Sequence, residues 1–364
     1  MSKIKVVSLF SGGGGLDLGF INAGFDVVWA IDNEKNAAAT YAKNIGNHIV
    51  CMDINALDAT TVPACDVVIG GPPCQSFSLA GNRKTDDLRG KLVWKYLEII
   101  ETLKPKAFLF ENVIGLLSAK NCDGEKIFPL IKKAFQDLGY TANAEVVDAS
   151  SFGVPQRRKR VIIVGTKSKT PFSFPAPTHG ELSKEKNPFV CVADALDDLP
   201  TAIDDINAFI KYSKPLTTEY QSLMRKDNEG VTEHFIPTMS ELDKYIISHV
   251  RPGGNYMDVP ADVPSERIRR FQKSGGHTTC YGRMREDMPS YTVNTYFNRP
   301  NVGCNIHYRE NRLITVREAL RLQSFPDNFV LISSNKQGRN LIVGNAVPPM
   351  LASVLASELK RQLN

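Results

Sequence analysis

Short apolar runs alternate with helical patterns from residue 1 to about 165, as expected of strands joined by crossover helices in a parallel sheet. Strands are predicted at 5–10, 27–31, 48–51, 67–70, 107–111, 144–148 and 161–165. The stretch 88–103 carries Leu92, Val93, Tyr96, Leu97, Ile99 and Ile100 at near-helical spacing, and Pro105 marks its exit. A second clear helix covers 125–138 and stops at Gly139. After Thr166 the alternation ends in the proline-rich boundary PFSFPAPTHG. The next hundred or so residues, rich in Pro, Gly and Asn with segments such as RPGGNYMDVP, predict loops on a small scaffold. Periodicity returns at 315–323 and in a closing helix over 348–363, where Pro348 and Pro349 suit the first turn.

The pattern predicts an α/β fold, a doubly wound and mostly parallel sheet with a second, smaller irregular domain. Expected bounds are 1–175 for the sheet domain, 176–335 for the second domain and 336–364 for a segment returning to the first. Within 364 residues, 42% hydrophobic and 23% charged content exclude disordered and collagen-like chains. No apolar stretch is read as approaching the roughly 20 residues of a membrane span, and MSKIKVVSLF lacks a signal-peptide pattern. A cytoplasmic protein without a membrane partner is expected. The seven cysteines are scattered without CxxC or Cys/His spacing, so neither disulfides nor a metal site is expected. A net charge of +5 decides nothing about partners, but the clusters at 157–160 and 267–270 sit where phosphates could reach them.

Candidate chemistry gathers at the carboxyl ends of the predicted strands. The first strand runs into Phe10-Ser11-Gly12-Gly13-Gly14-Gly15, where consecutive glycines permit a sharp turn and close ligand approach at a helix N-terminus. Asp32 ends the second strand about 20 residues later, as an acid contacting ribose hydroxyls does, and Asp53 follows the third. Together these favour an adenosine-containing cofactor, a dinucleotide or S-adenosylmethionine. Each acid alone is more often a turn residue or cap.

The fourth strand is followed by Gly70-Gly71-Pro72-Pro73-Cys74-Gln75-Ser76-Phe77-Ser78. A lone cysteine is more often a buried small hydrophobe than a nucleophile. Two prolines, however, hold Cys74 on a stiff loop where α/β enzymes carry out their chemistry, and a nearby cation or helix N-terminus could favour its thiolate. The fifth strand delivers Phe110-Glu111-Asn112-Val113. A carboxyl at such a position can serve as an acid or hydrogen-bond donor in a pocket shared with Cys74.

These segments, with Gln156-Arg157-Arg158-Lys159-Arg160, Arg317-Glu318-Ala319, Arg321-Leu322-Gln323 and Gly344-Asn345-Ala346-Val347-Pro348-Pro349, resemble in order the motif set of bacterial DNA (cytosine-5) methyltransferases of restriction-modification type. The resemblance spans nearly the whole chain and is loosest over 176–280, the family's variable target-recognition region. It implies a Rossmann-like S-adenosylmethionine-dependent methyltransferase that flips a cytosine out of duplex DNA, adds Cys74 to carbon 6 and methylates carbon 5 within a short specific sequence. Glu111 would then contact N3 and the exocyclic amine, with Arg158 and Arg160 near the base and thiolate. Phe10, Gly12, Gly14, Asp32, Asp53, Pro72, Asn345 and Val347 would hold S-adenosylmethionine. Gln75, Ser76, Ser78 and Arg83 would belong to a mobile DNA-contacting loop, and Thr292 to Thr295 would shape the recognition domain. The resemblance also implies a C-terminal helix packed against the sheet and DNA between the lobes. A monomer suffices, and any cognate restriction endonuclease would share the site without binding the chain.

Two other readings stand beside this one. A transfer-RNA cytosine-5 methyltransferase of the same family is disfavoured by the missing Cys-Phe-Thr motif. A nicotinamide-dependent oxidoreductase would use the glycine turn and Asp32 but would leave Cys74, Glu111 and the GNAVPP segment without a role.

Overall fold

The computed structural model describes residues 3–73, 90–121, 124–333 and 335–363. The chain packs as two units: Met1–Asp148 with Lys159–Ala176 and Pro349–Asn364, and Ala149–Arg158 with Pro177–Pro348. Residues 336–348, expected in the returning segment, therefore pack in the second unit, as does the short excursion 149–158.

The first unit is built on a seven-stranded sheet. Its strands are β1 (Lys5–Leu9), β2 (Asp26–Asp32), β3 (Ile49–Cys51), β4 (Val67–Gly70), β5 (Ala107–Val113), β6 (Thr141–Asp148) and β7 (Lys159–Thr166), in the order β3-β2-β1-β4-β5-β7-β6. The first five run parallel, and β7 lies antiparallel to both β5 and β6. The mostly parallel sheet is thus as expected, but β6 begins three residues before the predicted 144. Polar Thr141 and Asn143 still pair with Thr166 and Val164, so an apolar-run criterion recognises only the strand's second half. Strand order reverses between β1 and β4, where doubly wound sheets open a crevice beyond their carboxyl ends.

Five helices cover the sheet: α1 (Gly15–Asn22), α2 (Lys35–Asn44), α3 (Gly90–Leu103), α4 (Ile127–Asp137) and, numbered after the six of the second unit, the closing α11 (Pro349–Leu363). Period-two alternation directs Phe108 and Phe110 of β5 to one face. There Phe108 stacks on Phe135 with centroids 3.9 Å apart, and Tyr96 of α3 meets Phe110 edge-on at 5.3 Å. The Tyr96 hydroxyl donates to the Leu109 carbonyl at 3.0 Å, which satisfies its polar tip inside the core. Helix α11 buries Leu351, Ala352, Leu355, Ala356 and Leu359 and lies against α1. Gly19 makes that approach possible, since a β-carbon there would stand 2.3 Å from the Ala352 β-carbon and 2.7 Å from the Pro349 carbonyl oxygen.

Within the second unit lie α5 (Val192–Leu196), α6 (Glu219–Arg225), α7 (Glu241–His249), α8 (Glu266–Ser274), α9 (Val316–Leu322), α10 (Lys336–Asn345) and a two-residue ladder of β8 (Ile210–Lys211) with β9 (Gly230–Val231). Much of its interior is ionic. Arg321, fully buried, reaches Asp198 at 2.9 Å and Asp327 at 2.6 Å, and Arg225 meets Asp198 at 2.6 Å. Arg312 pairs with Glu318 at 2.7 Å, while Thr315 and Glu318 close a capping box at the start of α9. Removing one partner from such a desolvated set strands a charge, so each is tightly specified. Contrary to the sequence-based expectation, the stretch Lys336–Leu363 is long and apolar enough to cross a membrane by composition. It is instead two helices, α10 and α11, parted by residues 346–348, with most of the apolar face of α11 buried.

Candidate active site

The glycine loop after β1 turns at the reversal point of the sheet. Phe10 and Gly12 both take φ 55° and Gly14 takes φ 90°, left-handed values that glycine adopts without strain. The two glycines serve different ends. A β-carbon at Gly14 would stand 2.2 Å from Ile45 Cδ1 and 3.0 Å from the Tyr41 ring, so Gly14 lets the N-terminus of α1 settle on α2. At Gly12 nothing lies within 4 Å of that direction, which leaves its surface open to a ligand. The Gly12 N–H donates to Asp32 Oδ2 at 2.8 Å and the Glu34 N–H to Oδ1 at 2.9 Å, so the acid ending β2 holds the loop's shape. Burial pushes the Asp32 carboxyl up and these two backbone donors pull it back. Each of its oxygens retains a second lone pair for a ribose hydroxyl. Asp53, exposed after β3, caps a short turn through Oδ1 at 2.9 Å from Asn55 N. An open glycine surface at a helix N-terminus with two acids at neighbouring strand ends fits an adenosine-bearing group.

Beneath the loop, Asp17 of α1 is fully buried and accepts from Ser8 Oγ and from the Tyr41 hydroxyl, both at 2.9 Å. The Tyr41 oxygen lies 3.0 Å from His48 Nε2. Burial outweighs the Ser8 and Tyr41 bonds and raises the Asp17 carboxyl from 3.8 to about 6. Its folded value lies above its unfolded one, so stability attributable to this group is present at acid pH and falls as pH rises through the window from about 4 to 6. Asp17→Asn, whose amide can donate to Tyr41 or Ser8, is expected to stabilise the protein by roughly 3 kcal/mol at pH 8 and negligibly at pH 4. Urea unfolding of variant and wild type at both pH values measures this; an equal change at the two would contradict it. Sequence reading passed over Asp17, although an acid inside the apolar run Leu16-Asp17-Leu18-Gly19-Phe20 signals a buried hydrogen-bonding role.

The end of β4 and the residues just after it, 70–72, are held between β1 and β5. A β-carbon at Gly70 would stand 2.4 Å from the Leu9 carbonyl oxygen, and one at Gly71 would stand 2.6 Å from Glu111 Oε2. Asn112, also passed over, donates from Nδ2 to the Pro72 carbonyl at 2.9 Å and fixes the Pro-Pro corner. Glu111 Oε1 pairs with Arg160 Nε at 2.8 Å, the two side chains being only 11% and 12% exposed. Register explains the pair: Glu111 lies opposite Ile162 and Val113 opposite Arg160, which puts Glu111 and Arg160 diagonally on one face. Cys74, Gln75, Ser76, Ser78 and Arg83 lie outside the described residues.

Phe10, Gly12, Gly14, Asp32, Asp53, Pro72, Glu111 and Arg160 are thus gathered at the carboxyl end of the sheet in the first unit, except that Arg160 enters from the start of antiparallel β7. The described contacts of Arg158 lie within the second unit. Along 156–160 exposure alternates, with Gln156 and Arg158 buried and Arg157 and Lys159 exposed. The Arg158 guanidinium donates to the Val293 carbonyl at 3.0 Å and the Gly344 carbonyl at 2.8 Å. Gln156 bonds the Leu322 carbonyl and the Val293 N–H, and Thr292 Oγ1 donates to the Arg157 carbonyl at 2.8 Å. A β-carbon at Gly344 would stand 2.4 Å from the Thr295 nitrogen, so the 292–295 segment packs directly on α10. Asn345, exposed, and Val347, buried, follow in the same second unit.

The two arginines make separable predictions. Arg158→Lys cannot fork to both carbonyls and is expected to cost about 1–3 kcal/mol of stability while sparing turnover per folded molecule. Arg160→Ala strips the cation from a carboxylate only 11% exposed, so some stability is lost as well, but turnover per folded molecule is expected to fall roughly 10²-fold, the usual cost of removing one oriented charged donor. The reverse pattern would assign the chemistry to Arg158.

A profile of the family described as C-5 cytosine-specific DNA methylase matches residues 4–361. Among curated relatives, the Type II methyltransferase M.NgoFVII of Neisseria gonorrhoeae is 35% identical, with 98% of this chain and 87% of the relative covered. M.AgeI of Thalassovita gelatinovora is 33% identical over 98% of this chain and 99% of its own. A crystal structure described as a DNA modification methyltransferase encoded within an Escherichia coli prophage aligns over the whole of both chains with TM-score 0.76 and 26% identity. The Schizosaccharomyces pombe Dnmt2 methyltransferase shares the fold at TM-score 0.64 and 17% identity, again over the whole of both chains.

Proposed function

Because the chain belongs to the C-5 cytosine-specific DNA methylase family, we propose that it transfers a methyl group to carbon 5 of a flipped cytosine through a covalent Cys74 adduct. The enzyme class is that of the Type II DNA methyltransferases. The observation that carries the mechanism is Glu111, whose carboxylate lies between Arg160 Nε at 2.8 Å and the backbone of Gly71, three residues before Cys74.

Carbon 5 of cytosine is too electron-poor to take a methyl group directly. Attack of the Cys74 thiolate forms a sulfur–carbon 6 bond and drives an electron pair toward N3, where Glu111 supplies or stabilises a proton. Arg160 holds the Glu111 carboxylate in its orientation during that step. Carbon 5, now enamine-like, takes the methyl group. Loss of the carbon 5 proton to solvent water then re-forms the carbon 5–carbon 6 double bond and expels the Cys74 thiolate, and N3 returns its proton to Glu111. The base reaches these groups only outside the stack, at a cost of a few kcal/mol. S-adenosylmethionine, when bound, supplies an electrophilic sulfonium methyl. Phe10, Gly12 and Pro72 would line its site, Asp32 would accept from its ribose hydroxyls and Asp53 from its adenine amine.

Duplex DNA is the substrate of this reading, a monomer suffices for it, and a restriction endonuclease of the same specificity would act without binding the chain. A transfer-RNA substrate has less support, since M.NgoFVII, M.AgeI and M1.HphI, relatives at 33–35% identity, are Type II methyltransferases. Bisulfite sequencing of plasmid DNA from expressing cells tests the reading. Protected cytosines in one sequence context are expected; uniformly unprotected DNA alongside soluble protein would overturn it.

A further inference from the structure

Helix α8 of the second unit has two unlike faces. Ser265 caps its start by accepting from Ile268 N, and Gly275 ends it at φ 65°. Ile268 is buried and Phe271 packs against the same apolar cluster, its ring 5.6 Å from that of Tyr256. Gln272 Nε2 donates to the carbonyls of Val259 at 2.7 Å and Tyr256 at 3.2 Å, and Arg269 bonds the Val263 carbonyl. These contacts fix how the helix is rotated. The opposite side presents Arg270 and Lys273, and Arg267, three residues before Arg270, lies over the edge of that apolar face with its guanidinium 5.2 Å from the Phe271 ring centroid; all three residues are exposed.

Among the described residues no carboxylate pairs with any of the three. Most other arginines of the second unit behave differently, although exposed Arg157 and Arg299 also have no carboxylate partner among the described residues. Arg225, Arg312 and Arg321 are buried on carboxylates, and Arg283 on backbone carbonyls and Asn311. Even exposed Arg251, Arg285 and Arg309 have acidic partners, Asp258, Asp287 and Asp197. Like charges three apart weaken a helix, so an uncompensated stripe on a firmly seated one points to a partner that supplies the negative charge. The stripe extends about 9 Å along the helix axis, matching two to three successive phosphates of one DNA strand.

We propose that the Arg267–Arg270–Lys273 face of α8 grips the phosphate backbone of duplex DNA, holding it in register without reading bases. The proposal rests on the DNA-methyltransferase reading of the chain. Neutralising phosphates releases condensed counterions, so such a face must appear in the salt dependence of binding.

The test is the triple variant Arg267→Gln, Arg270→Gln, Lys273→Gln, titrated against a labelled, unmethylated mixed-sequence duplex across about 50–200 mM salt. The slope of log affinity against log salt is expected to fall by about 2–3, and affinity near 100 mM by roughly 10²-fold. Arg270→Gln alone should lower the slope by about one. Bisulfite patterns should keep the wild-type sequence context. A slope unchanged in a variant with the wild-type unfolding midpoint would overturn the proposal. So would an equal loss in the control triple Lys184→Gln, Lys214→Gln, Lys226→Gln, which removes the same charge elsewhere on the unit. Failure of the wild type itself to bind or methylate DNA would instead sink the reading on which the proposal rests.

Discussion

Serine in place of Cys74 is expected to abolish methyl transfer, by at least about 10⁴-fold in kcat, while leaving folding and cofactor binding unchanged. The substitution removes one soft nucleophile and little else. A hydroxyl is scarcely ionised near neutral pH, whereas a thiol is partly so and its thiolate attacks carbon well. Residues 70–72, which lead to Cys74, are fixed from the β1 and β5 sides: Gly70 lies against the Leu9 carbonyl, Gly71 against Glu111, and the Pro72 carbonyl accepts from Asn112 at 2.9 Å. Transfer of labelled methyl to DNA measures the effect; a variant keeping more than about one part in a hundred of wild-type turnover would remove Cys74 from the mechanism.

Glu111→Gln is expected to lower kcat by roughly 10²–10⁴-fold with little change in the affinity for S-adenosylmethionine. Glutamine keeps the shape of the side chain, and its carbonyl can still accept from Arg160, so the β5–β7 ladder and the Gly71 approach survive. What is lost is the ability to bring a proton to N3 as the thiolate adds. The expected signature is therefore a fall in kcat at constant unfolding midpoint and constant cofactor Kd. A rise in KM alone would recast Glu111 as a binding group only.

Much of this was legible in the chain because the parallel strands are buried on both faces and read as continuous apolar runs. Lys5–Leu9, Val67–Gly70 and Ala107–Val113 emerge close to where their patterns put them. Helices α6 and α8 were not legible. They offer only seven and nine residues, with Tyr220, Leu223 and Met224 in one and Ile268 and Phe271 in the other, less than two or three turns for a 3.6-residue period to stand out. Their unit relies on ionic and carbonyl-bound arginines instead, which leave no periodic trace.

The candidate site divides in the same way. Gly12, Asp32 and Glu111 could be read from their positions at strand ends, because that is where this topology exposes backbone and side chains to ligand. Which arginine of 157–160 faces Glu111 could not. The answer depends on the antiparallel register of β7 against β5, which sets Arg160 on the side of Glu111, and on where the strand begins: Arg158 precedes β7 and bonds the Val293 and Gly344 carbonyls instead. Gly14 reads in the sequence as a ligand glycine; its packing role, with Tyr41 and Ile45 filling the space beside it, leaves no trace there. Asp17 and Asn112 act through other residues, and such positioning roles have no spacing signature of their own.

The attack of Cys74 on carbon 6 is tested most directly by trapping it. Duplex DNA in which every cytosine carries fluorine at carbon 5 offers no proton there to be lost, so an adduct formed with S-adenosylmethionine present cannot release the enzyme. A denaturant-stable protein–DNA conjugate is expected with the wild type, its modified peptide mapping to Cys74, and none with Cys74→Ser. A conjugate mapped to another residue, or methylation of ordinary DNA without any trapped species, would contradict covalent catalysis by Cys74.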